Sequence, residues 1–429
     1  MASNSVEQMV LDSIEARQDE LFHILRDLIR VNSENFVSRG NEAACAEVVC
    51  EMYERLGLKT EVYFPDDYLA GNPDYLPGRG TDARPNVGGV YAGTEGKRSV
   101  MLAAHMDTVP IGDLDTWTTD PLGGEVRDGR IYGRGSGDNK FGIASGAFLI
   151  RILRDLQIRL KQNVVLSAYC DEEFGGGNGS IASCVKYPCD MYINLDGGNS
   201  DREVWTCALG GQLLRAEIAA REPQDSAALV LDGLNAIRRR VEAFGKRRSD
   251  ELQAHRFYRN SDMQRSALRI LSFHCGEAGT NLAGGSLEFV FYTASGRQEI
   301  ESELARMQEE IVRELDGMQI DFSAFIPASR YFEYICADET DPSLRLLLDC
   351  ASEVEGKTIR PAGACLTDYF LYLKHGSPQS VTYGILRDFK LPGGAHQPDE
   401  FVECRDLIHC TKALALYLLR WCGYERGSD

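Results

Sequence analysis

Three apolar runs in the first half of the chain each end in side chains that can bind a metal ion or move a proton. They are residues 99–104, followed by His105 and Asp107; residues 163–170, followed by Asp171, Glu172 and Glu173; and residues 191–195, followed by Asp196. Continuous apolar runs of this length are typical of strands that are buried on both faces of an α/β sheet. Ligands bind outside the carboxyl ends of the strands in such sheets, so we expect the functional site where these runs end.

Length and composition limit the class of protein. The chain has 429 residues, of which 43% are hydrophobic and 26% are charged, and these values predict a globular protein of two or three domains. The 46 Lys and Arg residues against 65 Asp and Glu residues give a formal net charge of −19. We therefore expect no nucleic-acid partner and no anionic membrane partner, because both bind basic surfaces.

The sequence also predicts the compartment. Residues 1–21 are polar and acidic, so we expect no signal peptide. No apolar stretch approaches the roughly 18 residues that indicate a transmembrane helix. The 13 cysteines include no close CxxC pair, which indicates reduced thiols in a cytoplasmic protein.

The order of predicted elements divides the chain into two domains. Helices are predicted near residues 21–29, 42–56 and 142–160, with a long loop at 65–85. From residue 213 to 325 the pattern becomes β-α-β-β-α-β, which is the ferredoxin-like order. We therefore predict an α/β fold with a mostly parallel central sheet flanked by helices in residues 1–207 and 330–429. An inserted ferredoxin-like α+β domain is predicted in residues 208–329.

Two of the strand ends carry groups that suit metal chemistry. His105 and Asp107 are two residues apart, so their side chains can face the same side and the Asp107 carboxylate can lie beside the imidazole. Glu172 and Glu173 are adjacent carboxylates, a costly arrangement unless a metal ion neutralises the charge. One of the two could then bind metal while the other moves protons. The alternatives are an ordinary surface turn for the first pair and a solvated acidic turn for the second.

Two further loops complete the candidate set. The glycines at 133–137 would let the backbone turn tightly and direct Asp138 inward, and the stretch matches neither a Walker A loop nor GxGxxG. His396 lies in a loop before a C-terminal helix, where a surface histidine is the alternative. Together with Asp196 these residues form a mixed set of nitrogen and oxygen donors, which suits zinc, cobalt or manganese better than calcium or magnesium. Two metals about 3.5–4 Å apart that share one carboxylate are a known hydrolytic arrangement.

Several motifs then occur together in one order. They are AHMDTVP at 104–110, WTTDP at 117–121, DGRIYGRG at 128–135, DNK at 138–140, DEEFGG at 171–176, DG at 196–197 and GAHQPDE at 394–400. As a set they make the sequence resemble the dizinc amidohydrolases and exopeptidases. That family includes acetylornithine deacetylase, succinyl-diaminopimelate desuccinylase, aminoacylase and glutamate carboxypeptidase.

The resemblance implies a ligand set for two divalent metal ions, with zinc favoured and cobalt or manganese as alternatives. One metal would be held by His105, Asp138 and Asp196. The other would be held by Asp138, Glu173 and His396, so that Asp138 bridges the pair.

The resemblance also implies catalytic and domain roles. Glu172 would be the general base that activates the bridging water, and Asp107 would orient the first histidine ligand. Residues 1–207 and 330–429 would form the dimetal catalytic domain, and residues 208–329 would form the lid, through which members of the family often dimerise.

The predicted lid departs from the family pattern. Members usually carry a histidine after the first lid strand that stabilises the oxyanion, but residues 221–226 contain none. Loss of such a donor costs about 10²–10³ in rate, unless His255 or His274 takes its place. Asn281 is expected to contact the substrate. Arg297 is either a shifted version of the arginine that binds the substrate carboxylate or a surface residue.

These observations lead to one main prediction of function. We expect a metal-dependent hydrolase that cleaves an amide bond of an N-acyl amino acid or small peptide, with Glu172 as the general base. A homodimer through the lid is a further option. Two alternatives remain open, an amidohydrolase for an unusual amide with a rebuilt lid and a catalytically weak, metal-bound relative that acts as a binding protein.

Overall fold

A computed structural model describes residues 2–198, 203–222, 226–277 and 281–426 and divides the chain into two compact units. Unit 1 comprises Met1–Thr206, Ala337–Ala362 and Leu371–Asp429, and unit 2 comprises Cys207–Cys336 and Gly363–Phe370. Cys207 and residues 330–336 and 363–370 thus group with unit 2, although the sequence predicted them in the first domain. The assignment of catalytic and lid roles to two domains stays a prediction.

The helices and strands are numbered in chain order. The helices are α1 Ala2–Ala16, α2 Gln18–Ile29, α3 Glu42–Arg55, α4 Lys140–Asp155, α5 Asn178–Lys186, α6 Ser226–Ala254, α7 Asp262–Arg265, α8 Arg297–Gly317, α9 Pro342–Glu355, α10 Tyr369–Leu371 and α11 Cys404–Cys422. The strands are β1 Lys59–Tyr63, β2 Asn86–Tyr91, β3 Ser99–His105, β4 Val126–Arg127, β5 Arg130–Tyr132, β6 Ile158–Leu160, β7 Asn163–Tyr169, β8 Met191–Asn194, β9 Val204–Ala208, β10 Gly210–Ala220, β11 Leu268–Glu277, β12 Asn281–Thr293, β13 Ile320–Asp321, β14 Ile326–Pro327, β15 Ile335–Cys336, β16 Pro361–Ala364, β17 Val381–Thr382, β18 Phe401–Glu403 and β19 Tyr424–Arg426. Within the described ranges, no helix combines the length and the apolar character needed to cross a lipid bilayer.

The central sheet of unit 1 has the strand order β1-β2-β7-β3-β8-β17-β9. Strands β7, β3, β8 and β17 run parallel, and β2 and β9 pair antiparallel with the two sides of this group. The register places His105, at the end of β3, beside Tyr169, at the end of β7. The predicted α/β class with a mostly parallel central sheet is confirmed.

Helices cover both faces of this sheet, which explains why its strands are continuous apolar runs. Leu102 and Ala104 of β3 lie in the large hydrophobic core that includes residues of α4 and α11. Met101 and Ala103, which point to the other face, pack into a smaller core with Cys184 of α5. Because side chains alternate along a strand, both sets must be apolar when both faces are buried.

Helix α1 was not predicted. Val6, Val10 and Ile14 recur at a spacing of four residues, and all three are buried where α1 packs against α11. The polar residues between them led the sequence analysis to treat this segment only as hydrophilic, although the apolar spacing carries a helical signal.

Unit 2 is an antiparallel sheet that is packed against two helices. Its elements follow the chain order β10-α6-β11-β12-α8-β13, and its sheet has the strand order β11-β12-β10-β13. Ile218 and Phe289 of the sheet share a core with Leu234 of α6 and Ile311 of α8. The predicted β-α-β-β-α-β order is present, and its role as a lid or dimerisation domain stays a prediction.

One pair of cysteines differs from the prediction that all thiols are reduced. Cys207 and Cys336 form a disulfide, with their Cα atoms 4.0 Å apart. The two residues are direct partners across the antiparallel strands β9 and β15, which brings their side chains together. The two cysteines are 129 residues apart in the sequence, and no sequence pattern predicted that they would pair.

Candidate metal centre

The candidate site lies at the carboxyl edge of the parallel strands of unit 1. His105 is the last residue of β3, and Asp196 comes two residues after the end of β8. The turn with Glu172 and Glu173 follows β7 directly. Because these strands run parallel, their ends meet at one edge of the sheet, as the sequence predicted.

The first group of donors consists of His105, Asp138 and Asp196. The Nε2 atom of His105 lies 3.0 Å from Oδ1 of Asp138 and 3.8 Å from Oδ1 of Asp196. All three side chains are buried. The Nδ1 atom of His105 lies 2.8 Å from the carbonyl oxygen of Asp107, which can only accept a hydrogen bond. The proton therefore sits on Nδ1, and Nε2 is the ring atom available to a metal.

The second group shares Asp138 with the first. The Nε2 atom of His396 lies 3.1 Å from Oδ2 of Asp138 and 3.0 Å from Oε2 of Glu173. The two oxygens of Asp138 thus face different histidines. The side chain of His396 is 37% exposed, so this group is reachable from solvent.

Glu400 holds the turn that presents Asp138. Its carboxylate accepts hydrogen bonds from the backbone N–H groups of Gly135, Gly137 and Asp138, at 3.0–3.2 Å. It also forms a buried ion pair with Arg134 at 2.7 Å. Both charged residues lie within the sequence motifs, but no role was predicted for either. The position of Glu400 four residues after His396 was the feature that could have indicated its role.

Asp107 contacts His105 differently from the prediction. Its main-chain carbonyl accepts the Nδ1 hydrogen bond, whereas its carboxylate lies 3.7 Å from that atom. The carboxylate instead accepts the backbone N–H groups of Glu172 and Glu173 and the side-chain amide of Asn35, at 2.8–3.2 Å. Asp107 therefore fixes both the histidine ring and the turn with the two glutamates. The contact with the turn and the role of Asn35 were not predicted from the sequence.

Glu172 and Glu173 have different surroundings. A carboxylate oxygen of Glu172 lies within 4.8 Å of one of Asp196, and the residue is half-buried. Glu173 is buried, and its Oε1 atom accepts a hydrogen bond from the backbone N–H of Val109 at 3.1 Å, which leaves Oε2 to face His396.

Burial and mutual charge shift the pKa values of the grouped residues. Burial opposes the charged form of His396, but Asp138 and Glu173 raise its pKa to about 10. Burial, with the Asp138 charge, raises the pKa of Glu173 to about 7. Burial likewise raises the pKa of Asp196. The two histidines outweigh burial for Asp138 and hold its pKa well below the ordinary value.

The donor set fits divalent cations. Within each group, ligand atoms lie within 4.8 Å of one another, and each group combines one imidazole nitrogen with carboxylate oxygens. Such mixed donors suit zinc, cobalt or manganese. Positive charge at these positions would offset the desolvation and repulsion of the buried carboxylates.

The predicted substrate contacts lie in unit 2. Asn281 is the first residue of β12, but its side chain lies outside the described residues. Arg297 begins α8, where its Nε atom pairs with Glu301 at 2.7 Å. That pairing agrees with a surface role for Arg297. His255 bonds the Tyr334 hydroxyl at 3.0 Å, and His274 is an exposed residue of β11.

Residues 101–420 match the model of the peptidase family M20/M25/M40. The chain belongs to this family. The matched range includes every candidate ligand described above. The M20/M25/M40 assignment agrees with the resemblance found in the motifs and places the chain among metallopeptidases and their amidohydrolase relatives.

Curated relatives are similar to parts of the chain. An uncharacterized metallohydrolase of Methanocaldococcus jannaschii is 33% identical over 164 residues, which is 38% of this chain and 38% of the relative. The N-formyl-4-amino-5-aminomethyl-2-methylpyrimidine deformylase of Halalkalibacterium halodurans is 26% identical over 45% of this chain and 42% of the relative. The chain thus spans less than half the length of these curated relatives.

A solved structure shares the fold over nearly the whole chain. A Bacillus subtilis protein, described as a dinuclear metal-binding peptidase of the M20 family, superposes with a TM-score of 0.61 and 14% identity. The match covers 95% of this chain and 99% of that chain. The family therefore includes dinuclear metal-binding peptidases, and this chain has two adjoining groups of candidate ligands.

Proposed function

We propose that the chain is a metal-dependent amidohydrolase with two divalent cations, zinc being the favoured metal and cobalt or manganese the alternatives. His105, Asp138 and Asp196 would hold one cation. Asp138, Glu173 and His396 would hold the other. The two adjoining donor groups and the membership of a family with dinuclear metal-binding peptidases support this proposal.

One observation carries the proposal. Oδ1 of Asp138 faces Nε2 of His105 at 3.0 Å, and Oδ2 faces Nε2 of His396 at 3.1 Å. A single carboxylate between two histidines is the arrangement expected of a ligand shared by two cations. A structural ion pair would need only one of these histidines.

The proposed reaction assigns the proton transfers to Glu172. When bound, two divalent cations would lower the pKa of a water molecule and polarise the amide carbonyl. The Glu172 carboxylate would accept a proton from the attacking water and return it to the amine nitrogen as the C–N bond breaks. Asp107 supports this step because its carboxylate fixes the backbone N–H of Glu172 at 3.1–3.2 Å.

The proposed substrate is the amide bond of an N-acyl amino acid or a short peptide. The family name and the deformylase relative support amide chemistry in general. A more specialised amide with rebuilt recognition in unit 2 is kept as the alternative, since residues 221–226 lack the histidine that members of the family usually carry. The pairing of Arg297 with Glu301 does not decide between the two, because an exposed ion pair between residues four apart contributes only about 0.3–0.5 kcal/mol.

Three further parts of the proposal come from the sequence alone. We keep the catalytic role for the predicted domain of residues 1–207 and 330–429 and the lid role for residues 208–329, although Cys207, residues 330–336 and residues 363–370 group with unit 2. A homodimer through the lid and a cytoplasmic location are kept as predictions. Size-exclusion chromatography with light scattering would test the dimer.

The proposal is tested by metal content together with hydrolysis. The purified chain is analysed for metals, stripped with a chelator, and reconstituted with zinc, cobalt or manganese before assay on a panel of N-acyl amino acids and dipeptides. We expect about two ions per chain and turnover that is lost on stripping and restored on reconstitution. Two ions without turnover on any substrate would favour the binding-protein alternative. Less than one ion per chain after reconstitution would overturn the ligand assignment.

A further inference from the structure

A buried arginine, Arg79, donates hydrogen bonds to the turn that carries Glu172 and Glu173. It belongs to neither donor group. The Nε atom of Arg79 donates to Oδ1 of Asp171 at 2.8 Å, and its Nη2 atom donates to the carbonyl oxygen of Glu173 at 2.7 Å. Arg79 is only 4% exposed. One guanidinium thus contacts both the side chain of Asp171, which precedes Glu172, and the main chain of Glu173, which follows it.

A second buried arginine anchors this contact to the rest of unit 1. The Nη1 atom of Arg84 donates to Oδ1 of Asp171 and to the carbonyl oxygen of Arg79, both at 3.0 Å. Its Nε atom donates to Glu42, the first residue of α3, at 2.8 Å. The turn is therefore connected through Asp171 and Arg84 to a helix.

The turn needs such support because its backbone is unfavourable. Asp171 and Phe174 have φ values of +64° and +58°, in the left-handed region that residues with a Cβ atom seldom adopt. Asp107 holds the N–H groups of Glu172 and Glu173, and Arg79 holds a carbonyl group of the same turn. The backbone N–H groups of the turn are thus held by Asp107, and a backbone carbonyl group is held by Arg79.

The network places two guanidinium groups among three carboxylates, so the guanidinium groups offset two of the three negative charges. The carboxylates of Glu42, Asp107 and Asp171 are fully buried, and they surround the guanidinium groups of Arg79 and Arg84. A bidentate guanidinium suits this position, because a lysine ammonium is a point charge without the planar fork.

We propose that Arg79 is a positioning residue that sets the orientation of Glu172 and Glu173, with Arg84 as its anchor. Glu173 is a proposed ligand of only one of the two cations, so loss of Arg79 should weaken that cation selectively. Loss of Arg79 should also lower turnover through Glu172. The turnover part of this inference rests on the proposed function, whereas metal binding tests the positioning separately.

The test compares Arg79→Gln and Arg79→Lys with wild type and with a control, Arg55→Gln, whose arginine side chain is 78% exposed and pairs with Glu51. Zinc is titrated into each stripped protein in competition with a chromogenic chelator that resolves the two ions. In Arg79→Gln we expect one ion to bind about 10–100-fold more weakly, which is the usual effect of losing a residue that orients a metal ligand. The affinity for the other ion should not change. Arg79→Lys should recover part of this loss, and Arg55→Gln should match wild type.

Turnover gives a second readout. In Arg79→Gln kcat should fall by about 10–100-fold with little change in KM, because Arg79 does not contact the substrate.

The positioning role would be overturned if folded Arg79→Gln bound each ion with wild-type affinity. Equal weakening of both ions would overturn it as well. If Arg79→Gln fails to fold, Arg79→Lys is judged by the same criteria. A wild type with two ions and no turnover would contradict the proposed function and leave the titration to decide the inference.

Discussion

The carboxylate of Glu400 accepts a hydrogen bond at 3.2 Å from the backbone N–H of Asp138. The acid is 1% exposed and also binds the side chain of Arg134, so it is both desolvated and ion-paired. Because Asp138 is the proposed shared ligand, a residue outside the donor groups holds the backbone on which both groups depend.

Replacement of Glu400 by glutamine should destabilise unit 1 and weaken metal binding. The substitution keeps the shape but leaves the buried charge of Arg134 without its partner, which costs about 3–5 kcal/mol in comparable ion pairs. Thermal unfolding and ion titration measure the two effects. Glu403→Gln is a matched control, because Glu403 pairs with Arg130 and both side chains are more than a third exposed. This variant should change the free energy of unfolding by less than about 1 kcal/mol. Wild-type stability and ion affinity in Glu400→Gln would contradict this account of the turn.

Asp138→Asn should remove both ions, whereas His396→Ala should remove one. The asparagine amide offers one neutral oxygen in place of two charged ones, so neither donor group keeps its full set. His396→Ala removes a ligand of the second donor group only. The first group of His105, Asp138 and Asp196 stays complete. Elemental analysis of the reconstituted variants gives the number of ions per chain. Retention of one ion in Asp138→Asn would show that the carboxylate is not shared.

Asp74 should contribute to stability only when it is ionised. His375 and Lys374 contact its carboxylate at 2.6 and 2.9 Å and hold its pKa well below the ordinary value. Because the folded pKa is lowered, the contribution is present above the unfolded value of about 3.9 and disappears as the pH falls toward the folded value.

Thermal unfolding of Asp74→Asn at several pH values tests this. At pH 7 we expect a loss of about 1–2 kcal/mol, as for a hydrogen-bonded charged group, and a smaller difference from wild type below about pH 4. A difference that stays constant from pH 7 to pH 3.5 would mean that the ion pairs do not stabilise the fold.

Gly142→Ala should destabilise unit 1 although alanine favours helices. A Cβ atom at this position of α4 would lie 2.7 Å from the Cβ of Ala104 and 2.8 Å from the Cβ of Leu195. Overpacking of this kind costs about 1–3 kcal/mol, which exceeds the gain of about 1 kcal/mol in helix propensity. Gly317→Ala, at the end of α8 with nothing within 4 Å, is the control and should raise stability slightly. Equal gains in both variants would contradict the close contact of α4 with the sheet.

The strand pattern predicted the edge of the sheet where the site lies, and the family resemblance supplied the division into two donor groups. His105 ends one apolar strand and Asp196 comes two residues after another, so the rule that ligands bind at carboxyl ends of parallel strands placed them together. The β-α-β-β-α-β order of unit 2 was predicted for a similar reason, since each element has its own periodicity.

Contacts between distant segments were not predictable in this way. Arg79 donates to the carbonyl oxygen of Glu173 and Glu400 accepts from the N–H of Asp138, so both act on backbone groups more than 90 positions away. The preference of His105 for the carbonyl of Asp107 over its carboxylate depends on how the chain turns after β3. Such choices follow from three-dimensional packing and leave no periodic pattern in the sequence.

The most direct test of the central claim is Glu172→Gln in the fully metal-loaded protein. Glutamine keeps the size of the side chain and the backbone hydrogen bonds to Asp107 but cannot accept the proton of the attacking water. We predict that the variant retains the wild-type number of ions and loses turnover by at least about 10²-fold, in line with the contribution of a general base. Turnover within a few-fold of wild type at full metal loading would show that Glu172 is not the base, and would contradict the proposed mechanism.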